Sequence, residues 1–216
     1  QAILESGANK VVTVEKDPRF FPILSELETA FPKKLKVLIK DALKVDLRGI
    51  VDSPLKIIAN LPYQISTILL MKWLNEEICL TNCKSLTLMF QKEVAERIIA
   101  SPGSKARSRI SLKTELFTNA KIVLNIPATC FIPRPKVDSS LLHFEVLAKP
   151  KYSFNPVKLD QILSCAFNQK RKMLKSSLKA LYPDVSNKLT SVGIIETERP
   201  ESVELVKFCD LSLIDE

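Results

Sequence analysis

The densest chemistry in the chain lies at Asn60-Leu61-Pro62-Tyr63, directly after the apolar run Ile57-Ile58-Ala59. A buried strand that ends abruptly in polar and aromatic groups marks a place where a sheet presents something to a ligand. Pro62 forces Leu61 toward an extended conformation and has no N–H of its own, so the segment offers carbonyl oxygens without a competing donor. If the side-chain oxygen of Asn60 and the carbonyl of Leu61 both accept from one exocyclic amine, they hold its hydrogens. They also help localise a lone pair otherwise delocalised into a purine ring, and the amine becomes a better nucleophile. Tyr63 supplies a flat face on which a base can stack once it has left its own stack. The same four residues also read as a strand, a proline turn and a core tyrosine.

Two acids stand in comparable places. Glu15 closes the run VVTVE and Asp41 follows KVLIK, so three strand ends carry Glu15, Asp41 and Asn60. In doubly wound sheets ligands bind at the carboxyl ends of strands. A carboxylate accepts two hydrogen bonds at once, which suits Glu15 to the two hydroxyls of a ribose. Asp41 is placed to accept from an adenine amino group, with the backbone of Ala42 beside the ring. Taken singly, both acids read more readily as strand-end caps or turn formers.

The elements that position these residues alternate. Strand patterns at residues 11–17, 36–43 and 55–62 are separated by helix-compatible segments, PRFFPILSELETAF and STILLMKWLNEEI, the rhythm of a parallel sheet with crossover helices. SLTLMF reads as a further strand leading into the helix QKEVAERIIA, and a helix near 109–119 precedes the strands KIVLNIP and SSLLHFEVL, an antiparallel edge. Beyond Lys149-Pro150-Lys151 the pattern is of helices only: Leu159, Ile162, Leu163, Ala166, Met173, Leu174, Leu178 and Leu181 follow helical spacing, and Pro200 to Phe208 reads as a last helix opened by proline. The expectation is an α/β sheet domain over residues 1–149 and a small all-helical domain over 150–216.

Bulk properties narrow the function classes. The chain has 216 residues, 46% of them hydrophobic, enough for a sizeable core and against disorder. Lys and Arg number 32 against 24 acidic residues, and the net +8 favours a polyanionic partner. Five scattered cysteines and a single histidine argue against a disulfide framework and against a zinc site, and point to a reducing compartment. Cys79 and Cys83, the one close pair, read as buried small hydrophobes. No apolar run is long enough to span a bilayer and the first residues do not form a signal peptide, so a soluble, cytoplasmic protein is expected. His143, in a strand pattern, reads as a packed or edge residue.

Asn60-Leu61-Pro62-Tyr63-Gln64-Ile65-Ser66 resembles the catalytic motif of class I methyltransferases acting on adenine amines. More narrowly, the chain is similar to the ribosomal RNA adenine dimethyltransferases, with VEKD at 14–17, DAL at 41–43, MFQKEVAERI at 89–98, FIPRPKVDSS at 131–140 and AFNQKRKMLKSSL at 166–178 matching in order, nearly end to end. The resemblance implies a Rossmann-like class I methyltransferase sheet and S-adenosyl-L-methionine as cofactor, held by Glu15, Asp41, Ala42 and Asn60. It implies a target-base pocket built from Asn60, Leu61, Tyr63 and, carried over from the F-x-P-x-P-K-V-D-S segment, Phe131. Leu61, where related resistance enzymes of the large subunit have Ile, favours the small-subunit enzymes. Gln64 departs from the usual Asn.

A larger departure concerns the strand and G-x-G loop that approach the methionine portion of the cofactor in that family. Gly7, Gly49, Gly103 and Gly193 are the only glycines and no two are close, so the chain is expected to start inside the helix after that loop, as a fragment. The strand concerned normally lies between those ending at Glu15 and Asn60, and its absence leaves ladder groups unpaired at about 1–3 kcal/mol each. Weak affinity for the cofactor is the corresponding expectation.

Arg171, Lys175 and Lys179 recur every four residues and form one stripe on a continuous helix, either a solvated face or a contact to phosphates. The resemblance implies dimethylation of two adjacent adenines near the 3' end of small-subunit ribosomal RNA, in an immature small subunit, by a monomer that needs no metal. Two other readings stand beside it: an adenine methyltransferase acting on DNA, disfavoured by the basic helical part, and a noncatalytic RNA-binding or assembly factor that keeps the fold.

Overall fold

The computed structural model describes residues 1–50, 54–168 and 172–214. The chain divides into two compact units, Gln1–Ser53 and Pro54–Glu216.

In the first unit a short helix α1 (Ala2–Glu5) leads into β1 (Val11–Glu15), and α2 (Phe21–Ala30) returns the chain to β2 (Leu35–Ile39). The two strands pair in parallel, with Glu15 opposite Ile39. The β-branched residues of Val11-Val12-Thr13-Val14 suit a pleated backbone, while Gly7, at φ 91°, takes the left-handed position that closes α1. The crossover is a ten-residue helix introduced by a turn over Pro18–Phe20, where Pro18 sits in the first turn and Asp17 caps it.

The second unit begins with β3 (Leu55–Ala59), α3 (Tyr63–Asn75), α4 (Glu77–Asn82) and β4 (Cys83–Gln91). It continues through α5 (Lys92–Ile98), α6 (Arg109–Phe117), β5 (Thr118–Ile126) and β6 (Ser139–Val146). Its sheet runs β3-β4-β6-β5, with β3 and β4 parallel and β6 antiparallel to both neighbours, so the late strands do form the expected antiparallel part. Each sheet has an open edge at its earliest strand, β1 bonding to β2 alone and β3 to β4 alone among the described residues.

One face of the larger sheet makes the core. The register aligns Ile57 with Leu86 and Leu86 with Phe144, and one row on Ala59 with Leu88 and Leu88 with Leu142. Leu86, Leu88, Leu142 and Phe144 are fully buried, as are Leu69, Leu70 and Leu74 of α3 and Leu112 and Leu116 of α6. Phe90 meets Phe144 edge-on at 6.2 Å between ring centres, a favoured aromatic geometry. Removing about 1.5–3 kcal/mol of exposed apolar surface per such side chain makes this face the main source of the unit's stability.

After β6 the described residues are helical: α7 (Pro156–Asn168), α8 (Leu174–Leu178), α9 (Val185–Ser191) and α10 (Leu205–Leu213). Leu159, Ile162, Leu163 and Ala166 of α7 are buried, as expected from their spacing, and Phe167 meets Phe208 of α10 at 6.2 Å. Arg109 and Lys113 of α6 reach Asp160 of α7 at 3.2 and 3.4 Å. Arg107, 1% exposed, pairs with Glu115 at 2.9 Å and donates to the Ala100 carbonyl at 3.0 Å.

The apolar residues from Leu159 to Leu181 are shared between helices: α7 covers Pro156–Asn168, Met173 is extended (φ −67°, ψ 151°) and 51% exposed, and α8 starts at Leu174. One helical expectation is corrected. Pro200 opens a three-residue turn rather than the last helix. Val203 and Glu204 are extended, Val203 fills a core position at 1% exposure, and α10 starts at Leu205. At this last break the extended backbone carries the Val203 side chain into the core.

Candidate functional site

The acceptor corner forms where β3 becomes α3. Asn60, Leu61 and Pro62 bridge the two elements, and Pro62 (φ −53°, ψ 134°) takes the position before the first helical residue, Tyr63. A proline there costs the helix no hydrogen bond, because the first-turn N–H groups lack intrahelical partners anyway. Asn60 is exposed, and neither its side chain nor the Leu61 carbonyl has a hydrogen-bond partner among the described residues. Both acceptors therefore stand open. The Pro62 carbonyl, by contrast, is already used by Ile65 N–H at 3.0 Å.

Tyr63 is half-buried and fixed from across the sheet: its hydroxyl shares a hydrogen bond of 2.7 Å with Oγ of Ser139, which is fully buried. Ser139 opens β6 and lies in register with Gln91 of β4 and Ile126 of β5. Ser66 Oγ, also buried, donates to the Tyr63 carbonyl at 3.0 Å. Tyr63 is thus held at its phenolic tip and at its backbone.

Phe131 lies in the loop that ends at Ser139. The loop leaves β5 through a turn at Ala128–Cys130, carries a cis peptide between Ile132 and Pro133, and returns through Asp138. Asp138 ties both ends: its Oδ1 accepts from Ala128 N–H at 2.9 Å and its carbonyl from Lys92 N–H at 2.9 Å. Phe131 is half-buried, whereas Ile132, Pro133, Arg134 and Lys136 are exposed. Between this loop and the start of α5 lies a cavity of about 820 Å³, lined among others by Gln91, Lys92, Glu96, Arg134, Lys136 and Asp138.

Glu15 and Asp41 belong to the other unit, at the carboxyl ends of neighbouring parallel strands as expected. Both also do the turn-forming work of the plainer reading. Glu15 Oε1 accepts from the N–H groups of Lys16 and Asp17 at 2.7 and 2.8 Å, and its other oxygen has no hydrogen-bond partner among the described residues. Asp41 Oδ1 accepts from Leu43 N–H at 3.0 Å, where Ala42 opens a short turn, and its Oδ2 meets Lys16 Nζ at 2.9 Å. The Lys16 ammonium, then the Leu43 N–H, hold the Asp41 carboxyl below the usual carboxylate range. Lys16 is 76% exposed, so water competes for its ammonium and the pair is weak.

The basic stripe is partly engaged. Arg171 lies outside the described residues. Lys175, on the five-residue α8, pairs with Glu196 at 2.9 Å, and that ammonium, followed by the Ser186 hydroxyl at 2.8 Å, lowers the Glu196 pKa. Lys179 is exposed just past the helix end.

Cys79 and Cys83 are both buried, as read from the sequence, with the Cys79 thiol pushed up by its hydrogen bond to Cys83 and by burial. His143 is packed rather than at an edge, its Nδ1 sharing a 2.9 Å hydrogen bond with Thr87 Oγ1 across to β4. No group of three or more metal-ligating side chains is found among the described residues, and none of their helices is long and apolar enough to cross a membrane. Ser139 and Lys16 were not singled out from the sequence. Ser139 stood in the segment FIPRPKVDSS, but its pairing across 76 positions has no local signal.

The profile of the family described as Ribosomal RNA adenine dimethylase matches residues 2–214. The chain belongs to that family. It is 43% identical over 216 residues to the Ribosomal RNA small subunit methyltransferase A of Jannaschia sp. (strain CCS1), covering 100% of this chain and 75% of that protein. Against the protein of the same name from Cereibacter sphaeroides (strain ATCC 17025) it is 46% identical over 212 residues, 98% of this chain and 76% of the relative. Among solved structures, a dimethyladenosine transferase from Plasmodium falciparum is similar at TM-score 0.74 and 25% identity, over 94% of this chain and 80% of that one. The 23S rRNA methyltransferase ErmE shares the fold at TM-score 0.67 and 20% identity, over 94% and 80%. The Rossmann-like α/β class that the resemblance implies is therefore the fold of this chain, and the family is the one its motifs resemble.

Proposed function

We propose that this member of the rRNA adenine dimethylase family transfers methyl groups to the exocyclic amines of two adjacent adenines near the 3' end of small-subunit ribosomal RNA, acting as a monomer on an immature subunit. The observation that carries the reading is the open acceptor pair, Asn60 Oδ1 and the Leu61 carbonyl, beside a Tyr63 ring fixed by Ser139. Two acceptors on one amine take both its hydrogens and leave its lone pair directed outward. Placement of this kind, made before the reaction, is where an enzyme gains most when its partner is already electrophilic. Tyr63 and Phe131 supply the apolar and aromatic surface for an unstacked base. The proton that the amine sheds passes to water, because Asn60 is exposed.

S-adenosyl-L-methionine fits this chemistry, and when bound it supplies a methyl group on a positively charged sulfur. Glu15 suits its ribose, since one carboxylate oxygen remains free of hydrogen bonds. Ala42 and Asp41 would suit its adenine once Lys16 releases Asp41. Residues 150–216 form the part that meets RNA, with Arg171, Lys175 and Lys179 toward phosphates.

The test is methyl transfer from tritium-labelled S-adenosylmethionine to immature small subunits, with duplex DNA as the comparison substrate. Label in two adjacent adenines of the RNA, lost in Asn60→Ala with RNA binding near normal, is the expected result. Near-unaltered turnover by Asn60→Ala, or preference for DNA, would sink the proposal.

A further inference from the structure

The loop between β5 and β6 carries an apolar side chain that nothing in its unit covers. Ile132 is 102% exposed, more than an extended reference chain would leave it, at the tip of a loop that is otherwise well anchored. Its base is closed by the two Asp138 hydrogen bonds to Ala128 and Lys92, and β6 begins at the Ser139 that holds Tyr63. The exposure is therefore a property of a built loop rather than of a loose chain. Arg134 and Lys136, on the same loop, have no ion-pair partner among the described residues, and Lys92 faces the same cavity.

We propose that Ile132 is the wedge that enters the RNA base stack when the target adenine leaves it, with Arg134 and Lys136 meeting the phosphates on either side. The proposal rests on the reading above and assigns the occupant of this tip as an RNA base step. Taking a base from its stack leaves two flat apolar faces exposed, and apolar side chains inserted between base steps are a general means of filling such a gap. An isoleucine flanked by unpaired cations matches that target in both parts, since a base step is apolar inside and anionic along its rim. The loop is also continuous with the corner that would receive the base, through Phe131 on one side of Ile132 and Ser139 at its end.

The experiment uses a small-subunit RNA hairpin with 2-aminopurine at one target position, whose fluorescence rises on unstacking. The unaltered protein should raise it on binding. Ile132→Ser should reduce that rise by roughly tenfold while changing RNA affinity much less, and Ile132→Leu should restore it. On a second RNA in which both neighbours of the target base are abasic, so that the base has no stack to leave, Ile132→Ser and the unaltered protein should behave alike. The melting temperature of Ile132→Ser should match that of the unaltered protein, because the side chain touches nothing. A full rise with Ile132→Ser, or an equal loss on both RNAs, would overturn the wedge. Methyl transfer to immature small subunits is measured alongside. If it occurs while Ile132→Ser is indifferent, the wedge alone fails; if it is absent in the unaltered protein, the reading beneath it fails and the wedge with it.

Discussion

Replacing Tyr63 separates what its hydroxyl does from what its ring does. The hydroxyl spends its hydrogen bond on Ser139 at 2.7 Å, and Ser139 Oγ has no other partner among the described residues and no exposure to water. Tyr63→Phe therefore forfeits the bond and strands a buried hydroxyl, a loss of about 1–3 kcal/mol of stability. Ser139→Ala should cost less, about 1 kcal/mol, because the half-buried Tyr63 can turn its hydroxyl to water. With both changed, no polar group is left stranded, so the double variant should be more stable than the sum of the single losses by about 1 kcal/mol. Urea unfolding of the four proteins measures this cycle. For function the ring decides: Tyr63→Phe keeps a face for the base and should retain most methyl transfer, whereas Tyr63→Ala should lose roughly 1–3 kcal/mol of base capture, read as kcat/KM. Strict additivity in the urea cycle would show that the Tyr63–Ser139 bond does not hold the ring. Equal damage from Phe and Ala in the methylation assay would show that the hydroxyl, not the face, serves the substrate.

The remaining expectations concern charge. Replacing Arg171, Lys175 and Lys179 together by Gln should weaken RNA binding and flatten its salt dependence by up to about two to three counterions, measured by filter binding over a salt series; an unchanged slope would remove the stripe from the interface. Glu196→Gln should release Lys175 and tighten RNA binding by roughly two- to fivefold, and a weakening would mean that the pair positions Lys175 rather than competing for it. Because the Lys175 ammonium and the Ser186 hydroxyl depress the Glu196 pKa, its contribution to stability is complete above the ordinary value of 4.5 and is lost as the pH falls through the lowered one. Glu196→Gln should therefore flatten the acid side of a melting-temperature profile, and identical profiles would contradict the pairing. Arg107→Met should destabilise by about 1–3 kcal/mol in urea, since it strands the Ala100 carbonyl and leaves Glu115, 28% exposed, with Lys151 at 3.8 Å as its remaining cation; an unchanged midpoint would contradict the pairing.

Local pattern determined a good deal about this protein. Apolar, β-branched runs leading to acids produced β1 and β2, and a proline after an apolar run, with its missing N–H and fixed backbone angle, made the corner between β3 and α3. The β3–α3 corner that leaves the Asn60 side chain and the Leu61 carbonyl without partners among the described residues was legible because three successive residues make it. What tertiary structure decided is the set of partners that local pattern cannot encode. Glu15 and Asp41 could be read either as ligand groups or as caps, and the fold gives each a cap while leaving Glu15 one free oxygen. The helical spacing from Leu159 to Leu181 did not say where one helix gives way to the next, and the fold sets Met173 extended ahead of α8, whose Leu174 and Leu178 are buried. Ser139 became part of the site only when β6 paired antiparallel to β4. A strand's neighbours are chosen by burial summed over the whole sheet, whereas a turn is chosen by the residues within it.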